Sequence, residues 1–92
     1  MKYLFAVKDI KLGAYLKVLE AENSLVLIRD IQAVVLDPNS QFCKYPEDFS
    51  LWEIGTFNEE TGELHTDSKH PKHIQNIADI KTFVEQNKEE FK

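Results

Sequence analysis

The stretch whose reading decides the fold runs from Tyr45 to Leu64, Y-P-E-D-F-S-L-W-E-I-G-T-F-N-E-E-T-G-E-L. Its middle, Ser50–Phe57, alternates as a strand does, with Trp52, Ile54 and Thr56 on one face and Leu51, Glu53, Gly55 and Phe57 on the other. Asn58–Gly62 then reads as a hairpin loop, with Gly62 placed to take positive φ at its end. Glu63–Thr66 returns as the partner strand. Gly55 interrupts the first strand, which predicts a bulge or the close approach of another backbone. The only tryptophan, Trp52, therefore sits on a strand among six carboxylates. Such a ring is either core or a surface that meets a partner. In so small a domain core is the expectation.

Upstream, Lys2–Lys8 (K-Y-L-F-A-V-K) has aromatic and branched residues on both faces, as a central strand would. Gly13 marks a turn. Ala14–Leu19 is compatible with a second short strand or an extended loop. Asn23 or Ser24 can cap a helix along S-L-V-L-I-R-D-I-Q-A-V-V-L-D, with Leu27 or Ile28, Ile31, Val34 and Val35 at helical spacing. Asp37-Pro38 stops it. Asp37–Phe49 reads as a long ordered loop packed by Phe42, Tyr45 and Phe49. Downstream, residues 65–75 form a polar, basic connector. Asn76, with Asp79 three residues on, opens a last helix whose apolar stripe is Ile77, Ile80, Phe83 and Val84; Lys81, Glu85, Lys88 and Glu89 form its wet side. The sum is an α+β domain over residues 1–92: a small antiparallel sheet of three to four strands with two helices packed on it, in the order β-α-β-β-α.

With 92 residues there is room for one domain. A single cysteine, Cys43, excludes an internal disulfide and fits a reducing compartment. The apolar start meets Lys8 and Asp9 too soon for a signal peptide, and no run approaches the roughly 18 apolar residues of a membrane helix. A soluble cytosolic protein is the expectation. The net charge is −5, unevenly spread. Residues 1–19 carry four lysines against one aspartate, whereas residues 20–63 carry ten acids against Arg29 and Lys44. Such a chain is not a general nucleic-acid binder, but basic segments that meet in space can form a local positive face.

Cys43, His65, His70 and His73 match no ligand spacing for zinc, so no metal is expected. The carboxylates Asp48, Glu53, Glu59, Glu60 and Glu63 cluster around a hairpin, where acids keep a surface wet, rather than facing across a cleft. No phosphate loop, nucleophile elbow or dinucleotide fingerprint is present, so neither catalysis nor a cofactor is expected. Trp52 with Phe57, Tyr3 and Phe5 could form a stacking platform for unpaired bases. Tyr15 and Tyr45, in less regular segments near Lys17 and Lys44, are the preferred stacking residues. Arg29 is expected to pair with Asp30 or Asp37, with a phosphate as the other choice.

K-Y-L-F-A-V-K-D, then I-R-D-I with A-V-V-L-D-P-N-S, then Y-P-E-D-F-S-L-W-E-I-G-T-F-N-E-E-T-G resemble, over residues 2–64, the small nonstructural protein of gokushoviruses, single-stranded-DNA phages of the microvirus group. The matching positions are Arg29, Asp37–Ser40, Tyr45–Asp48, Ile54-Gly55 and Thr61-Gly62. The resemblance implies a DNA-binding protein made in the cytoplasm of infected bacteria and absent from the virion. It implies a role in the switch from duplex replication to single-strand synthesis and packaging. On that reading Lys2, Lys8, Lys11, Lys17, Lys69 and Lys72, with Arg29 and Lys44, contact phosphate, and Tyr15 or Tyr45 stacks on bases. The alternative is an acidic module that docks on a viral or host replication or packaging protein. A homodimer is expected from the open sheet edge.

Overall fold

A computed structural model describes residues 1–87. The strands are β1 (Lys2–Asp9), β2 (Ala14–Ala21), β3 (Phe49–Phe57), β4 (Leu64–His65) and β5 (Lys72–Asn76). The helices are α1 (Ser24–Gln32), the single turn α2 (Gln41–Lys44) and α3 (Ile77–Gln86). The sheet is antiparallel, in the order β2-β1-β3, with β4 and β5 both pairing with the far side of β3.

The α+β class stands, and the helices lie on one face of the sheet. Phe5 and Val7 of β1 and Phe49 and Leu51 of β3 meet Leu27 and Ile31 of α1, Val35 beyond it, and Ile77, Ile80 and Val84 of α3. Full burial of side chains of this size contributes about 1.5–3 kcal/mol each, which is where a small domain finds its stability. Asn23 caps α1 by accepting the Val26 N–H at 2.9 Å.

Several elements depart from the sequence reading. Ala14–Ala21 resolves as a full strand, so β1 and β2 form a hairpin about Gly13, whose φ is +71°. Helix α1 ends at Gln32, and residues 33–36 continue as turns; Val35 still reaches the core. The expected loop from Asp37 to Phe49 contains α2, capped by Ser40, and a 3-10 turn over Pro46–Asp48. Phe42 and Phe49 pack edge-to-face at 5.3 Å as anticipated, but Tyr45 is exposed. The connector contains β5, which the sequence reading missed. Asn76 stands at the start of α3 without capping it by its side chain: its Oδ1 accepts from His73 Nε2 at 2.9 Å instead. Ile77, Ile80 and Val84 are buried as expected, while Phe83 is largely exposed. Lys81 leaves the expected wet side and donates to the Cys43 carbonyl at 2.9 Å. Lys88 and Glu89 lie outside the described residues.

The hairpin after β3 forms as its residues dictate. Gly62 takes φ +77°, and Asn58 Oδ1 accepts the Glu60 N–H at 3.0 Å. Both consequences expected of Gly55 are present. Leu4 faces Gly55 while Phe5 faces Glu53, which leaves Ile54 as an extra, bulged residue. A Cβ built on Gly55 would stand 2.5 Å from the His65 carbonyl oxygen on β4.

Candidate nucleic-acid interface

The helices leave the second face of the sheet uncovered by secondary structure among the described residues. Side chains alternate along β1 and β3, so Ala6 and Lys8, Ser50 and Trp52 project to this face when Phe5, Val7, Phe49 and Leu51 project to the core. Trp52 is thus no core residue, contrary to expectation. Its ring is half-buried on the open face, where it lies against small residues: Ala6 and Ser50 are nearly inaccessible. The indole N–H donates to Ser50 Oγ at 2.8 Å, which fixes the ring's orientation.

Three further groups collect around it. Tyr15 reaches over β1 from the edge strand and meets Trp52 edge-to-face, with centroids 6.0 Å apart. His73, opposite Trp52 in the β3–β5 register, meets its other flank at 5.2 Å. The Lys8 ammonium stands 5.3 Å from the Tyr15 centroid and 5.5 Å from that of Trp52. A cation shared between two rings stays on the surface that the rings define. A depression of about 390 Å³ continues from Tyr15 over Ile54 to Thr66, His70 and Pro71.

The nearby carboxylates are engaged. Glu53 accepts from His70 Nε2 at 2.6 Å, and Glu20 lies 3.7 Å from the Lys2 ammonium. On its other side, His70 Nδ1 accepts the Asp67 N–H at 3.2 Å. Cys43, His65, His70 and His73 are not gathered: His65 faces Glu63, His70 faces Glu53, and His73 faces Asn76.

Of the residues singled out in the sequence, the structure brings together Lys8, Tyr15 and Trp52; Phe5 and Tyr3 do not join Trp52 in a platform, because Phe5 is wholly buried in the core and Tyr3 lies on the same face of β1. Lys17 is exposed on the same edge strand as Tyr15. Lys2 is paired with Glu20, and Lys11 lies 3.5 Å from Asp48. Lys69 sits in the connector and Lys72 opens β5 opposite Glu53. Arg29, Lys44 and Tyr45 belong to the helical side, away from the cluster. Arg29 forms none of the expected ion pairs with Asp30 or Asp37; it lines a depression with Gln32, Ala33, Leu36 and Val84. His73 completes the cluster. Alternation placed Trp52 opposite Leu51 but could not say which face the helices take, and His73 arrives through a pairing with no strong signal in the chain.

Fold and surface together define a small α+β domain with a one-sided sheet, its open face carrying aromatic rings around a lysine. The chain belongs to the phage ORF5 protein family, whose family model matches residues 2–80, and it is therefore a bacteriophage protein. No curated protein and no solved structure matches it. No helix among the described residues is long and apolar enough to cross a membrane.

Proposed function

We propose that this phage protein is a non-catalytic accessory factor that binds single-stranded DNA on the open face of its sheet. The supporting observation is the cluster of Lys8, Tyr15, Trp52 and His73: rings that bases can stack on, with a cation among them. Stacking tolerates any sequence because every base has a π-face, and a cation beside the rings attracts the phosphates that connect those bases. Glu20 lies beside the Lys2 ammonium, which lessens its repulsion of a polyanion. The gokushovirus-like wording of residues 2–64 supports a role in the switch to single-strand synthesis and packaging, in the host cytoplasm and outside the virion.

The net charge of −5 keeps general affinity for duplex low, so the reading requires a preference for unpaired strands. Anisotropy titration of a labelled oligothymidylate, at about 50 mM and about 200 mM salt, tests it. The expected result is saturable binding that weakens with salt, with a matching duplex bound much less tightly. Absence of binding at the lower salt refutes it and leaves the acidic docking module as the surviving reading.

A further inference from the structure

Strand β2 ends the sheet: it pairs with β1 on one side, and on the other its backbone meets no segment among the described residues. It is eight residues long and has no proline, and its one irregularity, an extra residue between Tyr15 and Val18, leaves Val18–Ala21 in regular register with β1. The hairpin it belongs to exposes Ile10, Leu12, Tyr15, Leu16 and Val18 within nine consecutive residues. A long, unpaired, apolar edge is a template for another strand.

We propose that this edge is covered by a second copy of the chain, through antiparallel β2–β2 pairing about a two-fold axis at Val18. Charge argues for a copy. The chain as a whole, at −5, repels itself, but residues 10–21 carry only Lys11, Lys17 and Glu20. Copies therefore approach along this hairpin with least repulsion. Charge and exposure also choose the register. An axis on Lys17 would set two ammoniums opposite each other, and one on Glu20 two carboxylates, both destabilising. Between them stand Leu19, which already packs against the core, and Val18, which is 55% exposed. A Val18 axis pairs residues 17–19 of one protomer with 19–17 of its partner, so Lys17 faces Leu19; beyond Lys17 the extra residue of β2 between Tyr15 and Val18 shifts the ladder. A two-fold axis normal to the sheet keeps faces in common. The two sheets then join with both open faces on the same side, and Tyr15, on β2 itself, sits near the junction. On the DNA-binding reading, from which this last consequence follows, one strand crosses two platforms and gains from their linkage.

The pairing is testable without DNA. Sedimentation velocity of the full chain should show a dimer, and Val18→Lys, which puts two cations on the axis, should give a folded monomer. Val18→Cys in a Cys43→Ser background should form an intermolecular disulfide under a mild thiol oxidant, because directly opposed antiparallel residues hold their Cα atoms about 4.5–5.5 Å apart, within disulfide reach. Leu12→Cys, off the strand, should not. A monomer at the highest attainable concentration overturns the inference, as does a dimer that survives Val18→Lys and does not cross-link at Val18→Cys. A dimer that meets these tests but ignores oligothymidylate sustains the pairing and removes the DNA reading. If both hold, Val18→Lys weakens oligonucleotide binding on the order of 100-fold, despite its added positive charge.

Discussion

The rings of Tyr15 and Trp52 meet edge-to-face at 6.0 Å although a whole strand, β1, separates the strands that carry them. The contact forms because Ala6, beneath them on β1, is small, and because Lys8 on the same strand offers both rings a cation. If this arrangement is the binding surface, its parts separate by experiment. Trp52→Ala should cost about 1–3 kcal/mol of oligonucleotide binding, the worth of one stacked base. Lys8→Ala should flatten the salt dependence by about 0.7 in log–log slope, the share of one phosphate contact on a single strand. Arg29→Ala, on the helical side, should change neither. Titration of each variant over a salt series checks all three.

Gly55 and Gly62 are both glycines of the β3–β4 hairpin, but for different reasons, and their alanine variants should differ. Gly62 has φ +77° with open space around it, so alanine there meets backbone strain of about 1 kcal/mol. At Gly55 the obstacle is the His65 carbonyl, 2.5 Å from where a Cβ would stand, and backbone cannot swing aside as a side chain does. Gly55→Ala should cost about 1–3 kcal/mol, as overpacking does, and should detach β4. Urea denaturation gives both values; equal, small losses would show that β4 yields freely.

His70 ties the connector before β5 to the sheet. Its Nδ1 accepts from Asp67 N–H, which leaves Nε2 to donate to Glu53, and both side chains are mostly buried, at 11% and 16% exposure. Glu53→Leu strands the imidazole N–H and should lower stability by about 1–3 kcal/mol. Faster amide exchange at Asp67 and Lys69 should accompany it, since both amides donate within this connector. A loss of stability without faster exchange there would place the effect elsewhere.

Asn23→Ala removes the acceptor of the Val26 N–H and should cost about 1 kcal/mol, whereas Asn23→Ser should restore most of it. Thermal unfolding of the two variants makes the comparison.

What could be read from the residues was local chemistry. Gly62, Asn58, Asn23 and the alternation of Ser50–Glu53 each act within a few positions, and each does in the structure what its type dictates; past the bulge at Ile54 the expected faces exchange, with Thr56 on the side of Glu53 and Gly55 and Phe57 on that of Trp52. What escaped depends on pairing partners distant in the chain. K-H-I-Q-N has one aliphatic residue and no strand pattern of its own; it becomes β5 because β3 offers a free side. Trp52 was misplaced because both faces of β3 carry apolar residues, and only the position of α1 and α3 decides which is core. The lysines were expected to act as a group. Lys2 and Lys11 have carboxylate neighbours that no spacing rule could name, which leaves Lys8 at the centre.

The most direct test of the open-face account is the emission of Trp52, the chain's only tryptophan, during titration with unlabelled oligothymidylate at low salt. Stacking of a base on the indole predicts saturable quenching that reverses as salt is added. Emission that stays unchanged while anisotropy reports binding would contradict it, because the strand would then lie on another surface.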